Sequence, residues 1–288
     1  MSQADPGWDL RRILVALDAS PDSLGALAAA AKLARQTEAE LEGLFVEDTE
    51  LLSLADSPFA REIGYHSAKE TALSRASMER KLHAQSELAR KALERAAQEA
   101  QVPWSFRIVR GDVTSELLAA AAEADLLAMG QLGWSIGSQL RIGSTALELM
   151  ASTTPLLLSS SKPLPAKAAL CAYYDGSPAA KRAFRVALQL AAAADSRNVL
   201  ALVAAQNAEE ALSLREELAA MAQEADMEVQ YVDMADVSSL LRALRSEEGI
   251  FVIGGRDPFK RLPWLEAALR AHKIPLLLLR NGFDPETT

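Results

Sequence analysis

The sequence predicts two tandem α/β domains, each a doubly wound, five-stranded and mainly parallel sheet flanked by helices. Three observations predict it. Short apolar runs alternate with longer helical patterns along the chain. A stretch rich in serine and proline, Ser159-Ser-Ser-Lys-Pro-Leu-Pro-Ala-Lys167, interrupts both periods, and the alternation restarts after it. Three segments then recur in the same order. LVALDASPDSLGAL (14–27) matches LCAYYDGSPAAKRAF (170–184) with a one-residue slip, ADLLAMG (124–130) matches EGIFVIG (248–254), and TTPLLLSS (153–160) matches KIPLLLLR (273–280). This is the signature of a tandem duplication, with domains at 1–160 and 168–288 and a linker at 161–167.

Taken in order, residues 13–17 form a short branched apolar run bounded by turn residues, which reads as a buried strand. Asp18-Ala-Ser-Pro-Asp22 supplies turn and N-cap chemistry for a helix over 23–36. A strand follows at 41–46, then an excursion over 47–66 without clear periodicity. Residues 67–101 read as one long amphipathic helix, with apolar positions at 72, 73, 76, 82, 88, 92, 93 and 96. Then come a strand at 106–109, a helix at 114–124, a strand at 126–129, a helix at 144–151 and a strand at 155–158. The second domain repeats the pattern, with strands at 170–174, 199–203, 228–232, 250–253 and 275–279. Its helices fall at 179–194, 208–225, 238–246 and 262–271. Strands separated by helices require crossover connections and hence parallel pairing. Such sheets bind ligands at the carboxyl ends of their strands. Here those are the loops after Leu17, Val46 and Met129.

The chain of 288 residues suits two domains. Half of it is hydrophobic and 24% is charged, the composition of a folded protein. Its formal charge of −9 argues against non-specific attraction to nucleic acid or anionic membrane. The single cysteine, Cys171, has no intrachain partner, and no usual zinc ligand set is present. No apolar run approaches the roughly 18 residues that a membrane helix needs. The N-terminal segment lacks a signal-peptide pattern. These features predict a cytoplasmic protein.

The most informative stretch runs from Gly130 through Gly133, Trp134 and Arg141 to Gly143-Ser144-Thr145. A strand ends at Gly130, a loop follows, and Gly143-Ser144-Thr145 opens a helix. Glycines allow close backbone approach to a ligand, and helix-start N–H groups favour an anion. The lysine of a P-loop is missing, and the glycines are not spaced as a dinucleotide fingerprint.

The spacing Gly130-x2-Gly133-x9-Gly143-Ser144 resembles the nucleotide-binding signature of the universal stress protein family. Asp18 at the first strand end, the segment GDVTSELLAAAAEADLL (111–127) and Asp175-Gly176-Ser177 in the second repeat resemble the family as well. The resemblance covers nearly the whole chain as two copies. It implies a Rossmann-like, adenine nucleotide hydrolase-like fold that binds ATP, or ADP or AMP, with Mg²⁺ as a companion ion. By position it puts Ala16 and Asp18 beside adenine and ribose, and the backbone of Val46 at the adenine edge. Met129, Gly130, Leu132 and Gly133 would line the ribose and first phosphates. Gly143, Ser144 and Thr145 would hold the outer phosphates.

The second repeat departs from this pattern. Asp257 stands where Gly133 stands, Pro258 removes an N–H donor, and no Gly-Ser follows. Its loop between Gly254 and Pro275 is shorter than that between Gly130 and Pro155. The expectation is one nucleotide site, in the first domain, with Arg256, Lys260 and Arg261 a solvated basic face.

No dedicated catalytic group stands out. There is no GxSxG, Cys171 lies within a predicted buried strand, and His66, His83 and His272 are far apart. His66 lies in the excursion that would fold over a nucleotide, though a surface role is the plainer reading. Slow ATP hydrolysis is the most these residues suggest, and no metal ligand set is assigned. The resemblance further implies an intramolecular pseudo-dimer with strands 155–159 and 275–279 adjacent, compatible with a homodimer and a protein partner. The alternative is a nucleotide-free scaffold of the same fold. An adenylate-forming or pyrophosphatase enzyme would need paired glycines after the first strand, which Asp18-Ala-Ser-Pro-Asp-Ser23 lacks.

Overall fold

In the computed structural model, the described residues are 8–57, 61–63, 70–72, 74–131, 144–150, 154–161, 170–194, 198–225, 227–233, 249–255, 262, 265 and 274–279. The N-terminal half contributes strands β1 (Arg12–Ala16), β2 (Glu40–Asp48), the short β3 (Arg61–Ile63) and β4 (Glu70–Ala72), β5 (Trp104–Gly111), β6 (Leu126–Gly130) and β7 (Leu156–Ser159). Its helices are α1 (Pro21–Thr37), α2 (Thr49–Ala55), α3 (Arg75–Ala100), α4 (Val113–Ala121) and α5 (Ser144–Leu149). The C-terminal half contributes β8 (Leu170–Tyr174), α6 (Pro178–Ala193), β9 (Asn198–Val203), α7 (Ala208–Glu224), β10 (Glu228–Asp233), β11 (Ile250–Gly254) and β12 (Leu276–Leu279).

Ten strands form one sheet in the order β10-β9-β8-β11-β12-β7-β6-β1-β2-β5. Within each half the pairings are parallel and the order is the same. The halves meet antiparallel at β7 and β12, where Leu276 faces Leu158, Leu277 faces Leu157 and Leu278 faces Leu156. The expected two sheets are therefore continuous, and the closing strands expected to be adjacent are hydrogen-bonded to each other.

Alternation of side chains across the pleat explains why the seam is apolar on both faces. Leu157 and Leu277 enter one core cluster; Leu156, Leu158, Leu276 and Leu278 enter the other. Both clusters extend through both halves. All residues of β8, β11 and β12 are buried, as central strands covered on two faces require. The edge strand β5 alternates instead, with Ile108 left exposed.

Helix starts follow the capping residues. Ser20, Asp48, Ser74, Asp112, Ser177 and Asn207 each accept a backbone N–H with the side chain, satisfying a donor that has no intrahelical partner. Ser74 and Ser77 form a reciprocal capping box. This cap corrects the long-helix expectation: α3 begins at Arg75, and Glu70–Ala72 is a strand paired with Arg61–Ile63. The excursion expected to be irregular also holds α2, with Leu52 and Ala55 buried. On α3 the buried stripe is Leu82, Ser86, Ala89, Leu93, Ala97 and Ala100, while Leu88 is exposed because it lies a residue off that stripe. The helices expected at 238–246 and, apart from Leu262 and Leu265, at 262–271 lie outside the described residues.

Candidate functional site

Strand β1 lies between β2 and β6. The chain leaves β1 through α1 toward β2, whereas β6 takes the other side. Loops after β1 and β6 therefore diverge and open a crevice at the carboxyl ends.

The first wall of this crevice is a compact turn. The N–H of Ser20 donates to Oδ1 of Asp18 at 2.8 Å, and Ala19 between them has φ 60°. Ser20 then caps α1, its Oγ accepting from the N–H of Ser23 at 3.1 Å. One oxygen of Asp18 is thus committed to the turn. The same construction occurs in the second half: Ser177 N–H donates to Asp175 Oδ1 at 3.1 Å, Gly176 has φ 74°, and Ser177 caps α6.

The floor is the junction of α1 and β6. A Cβ on Gly130 would lie 2.9 Å from the carbonyl carbon of Asp22 and 2.9 Å from the nitrogen of Ser23. Glycine is what lets the first turn of α1 rest on the strand end. Asp22 is buried there, and its Oδ1 accepts from Ser161 N–H at 2.9 Å, tying the chain beyond β7 to α1. Beside Gly130, Gln131 is buried; its N–H donates to Ser159 and its side chain donates 2.7 Å to the carbonyl of Ile274.

Ala16 and Val46 are half-buried and pack against the same core cluster that contains Met129. Thr145, in the first turn of α5, is half-buried, with Oγ1 3.5 Å from Oγ1 of Thr114 on α4. The structure therefore gathers Ala16, Asp18, Val46, Met129 and Gly130 at neighbouring strand ends, and α5 begins at Ser144. Leu132, Gly133 and Gly143 lie outside the described residues, as do His66, Trp134 and Arg141.

Sequence reasoning missed Thr114 and Gln131. Thr114 follows an edge strand, far from the glycine loop in sequence; its signal was the Asp112 cap that starts α4. Gln131 had no local signal, because its side-chain partner lies in the other half.

Carboxylates stand at or just after the carboxyl ends of β1, β2 and β5, and each is engaged by backbone. Asp18 closes its turn, Asp48 Oδ1 accepts from Glu50 N–H at 2.7 Å, and Asp112 Oδ1 accepts from Ser115 N–H at 2.8 Å. The hydroxyl of Ser115 also donates to Asp112, and these two bonds hold its pKa below the ordinary carboxylate value. Capping charges of this kind are compensated by helix N-termini. Among the described residues no group of three or more potential ligand side chains could hold a metal ion. None of the described helices is long and apolar enough to cross a membrane.

The sequence model of the universal stress protein family matches residues 9–158. No curated protein matches the chain. Among solved structures, the chain is similar to a universal stress protein from Archaeoglobus fulgidus DSM 4304, with TM-score 0.71 and 15% identity over 97% of this chain and 100% of that one. It is also similar to a universal stress protein from Pseudomonas aeruginosa UCBPP-PA14, with TM-score 0.59 and 16% identity over 95% and 94% of the two chains. A third similar structure is a functionally unknown protein from Pseudomonas aeruginosa PAO1, with TM-score 0.55 and 16% identity over 95% and 93%. At these identities the likeness is one of fold.

Proposed function

The chain belongs to the universal stress protein family, and from that premise we propose that it binds an adenine nucleotide in its N-terminal half and acts as a nucleotide-dependent regulator in a stress response. The observation that carries this reading is the position of the glycine signature. It starts at Gly130, on the β6 side of the crevice where α1 meets the strand end, and runs to the start of α5 at Ser144. In this reading Ala16, Asp18 and the backbone of Val46 take the base and ribose. Met129, Gly130, Leu132 and Gly133 take the ribose and first phosphates, and Gly143, Ser144 and Thr145 the outer phosphates. The ligand is ATP, ADP or AMP, with Mg²⁺ carried on the phosphates. No catalytic residue is assigned.

The same reading divides the chain into a nucleotide domain at 1–160, a linker at 161–167 and a second domain at 168–288 that serves structure and partner recognition. It places the protein in the cytoplasm, as an intramolecular pseudo-dimer able to pair again with a second copy.

The test is the nucleotide content of protein purified without added ligand, measured by mass spectrometry after denaturation. The expected result is close to one ATP or ADP per chain, lost in Gly133→Asp, which copies the residue of the second repeat. Absence of nucleotide, together with no binding at millimolar ATP and Mg²⁺, would replace this reading with the nucleotide-free scaffold.

A further inference from the structure

The two halves carry the same turn at the same place, so their strand ends can be compared residue by residue. Asp18-Ala19-Ser20-Pro21 and Asp175-Gly176-Ser177-Pro178 share the carboxylate-closed turn, the positive φ at the second position and the serine cap. Counting back from the aspartate, Ala16 corresponds to Tyr173. The register agrees: Ala16 pairs with Leu44 on β2, and Tyr173 pairs with Leu202 on β9. Both residues sit on the same face of the sheet, against the same core cluster.

Their surroundings differ in one respect. Ala16 is half-buried and ends at its Cβ, so its side chain takes up little of the space at that strand end. Tyr173 projects a full phenol ring from the equivalent point, yet is only 6% exposed. The same core cluster holds Leu202, Phe251 and Ile253, so the phenol is part of the packed interior on that face of the second half. The neighbouring position is correspondingly smaller, with Ala204 where the first half has Val46.

We infer that Tyr173 is the residue that closes the second crevice, its ring occupying the volume that a nucleoside base would take in the first. The inference deepens the nucleotide reading of the N-terminal half and rests on it for the identity of the ligand. It adds a determinant that the loop comparison does not contain. Even with its loop restored, the second half would not accept a base while Tyr173 is present. The number of sites per chain is then set at the base end of the crevice as well as at the phosphate end.

The experiment exchanges the two residues in the full chain and uses two probes, ATP and adenosine, by equilibrium dialysis. Adenosine carries no phosphate and so reads the base pocket without the second loop. Ala16→Tyr is expected to weaken ATP binding by about 100-fold or more, while circular dichroism and the melting profile remain those of a folded chain. Tyr173→Ala is expected to add one adenosine site per chain. Tyr173→Val, which leaves a smaller cavity in a strand, carries the same test if the alanine variant does not fold. Unchanged ATP affinity in folded Ala16→Tyr, or no added adenosine site at millimolar concentration in the folded Tyr173 variants, overturns the inference. Failure of the wild-type chain to bind ATP overturns the nucleotide reading instead, and the gain of an adenosine site in the Tyr173 variants is read independently of it.

Discussion

The side-chain amide of Gln131 donates a 2.7 Å hydrogen bond to the main-chain carbonyl of Ile274, joining the residue that leaves β6 to the approach of β12. The bond crosses the seam between the halves at a buried position, next to the first glycine of the proposed phosphate loop. The corresponding residue of the second half is Gly255, whose N–H donates to Leu279 as that of Gln131 donates to Ser159. The backbone bond is thus duplicated, whereas glycine has no side chain with which to repeat the amide link.

Removing that amide leaves the carbonyl of Ile274 without this donor in a buried place. Gln131→Ala is expected to lower unfolding stability by about 1–3 kcal/mol. Urea unfolding measures the loss, and hydrogen exchange should show faster opening at β7 and β12 than at β1. A change confined to the loop, with the seam unaffected, would contradict this role.

Close approach of helix and strand at Gly130 and Gly254 leaves no room for a methyl group. At Gly254 an added Cβ would fall 2.0 Å from the carbonyl oxygen of Ala179, which is backbone and cannot swing aside. Gly254→Ala should therefore destabilise more than Gly130→Ala, whose nearest atoms are at 2.9 Å. Overpacking of this kind costs about 1–3 kcal/mol or more. Thermal unfolding of the two variants tests the order.

Ala19 and Gly176 adopt the same left-handed conformation, φ 60° and 74°, and only glycine does so without a steric penalty. Gly176→Ala should cost about 1–2 kcal/mol from the backbone alone. The reverse change, Ala19→Gly, should be near neutral, because relief in the folded state is offset by greater freedom in the unfolded chain. A loss of stability in Ala19→Gly as large as that in Gly176→Ala would contradict this account of the two turns.

Asp112 caps α4 with its pKa depressed by bonds from the Ser115 hydroxyl and N–H. A depressed carboxylate contributes stability that is complete above its unfolded pKa and is lost as pH falls through the folded value. Carboxyl NMR titration should place Asp112 below the ordinary aspartate range. The first turn of α4, including Thr114, should then fray on further acidification. Asp112→Asn keeps an acceptor for the cap and should remove this pH dependence while retaining the helix.

A ligand that binds only the folded chain stabilises it by mass action. ATP at 100 times its dissociation constant should raise the unfolding free energy by about 2.7 kcal/mol, and Gly133→Asp should abolish the rise. Calorimetry with and without nucleotide makes the comparison.

Much of the fold is legible in the amino-acid order. The apolar runs place the strands of the main sheet because periodicity and turn residues are local properties, and β8 at Leu170–Tyr174 has the predicted bounds. The repeat is legible too, down to Asp18 and Asp175 in matching turns. Residues 67–74 are harder. Their composition suits a helix, yet Ser74 caps α3 and Glu70–Ala72 pairs with Arg61–Ile63, so a local cap and a partner strand override propensity.

The alternation of strands and helices, the duplication, the turn chemistry at each strand end and the glycine spacing all follow from sequence alone, because each depends on residues close together along the chain. Assembly of the fold adds four facts: the two sheets are one, Gln131 reaches Ile274, Thr114 meets Thr145, and Tyr173 is covered where Ala16 is half-buried. Those facts depend on which distant segments pack together and how much volume remains between them. Such packing is a property of the assembled core and is written in no single stretch of sequence.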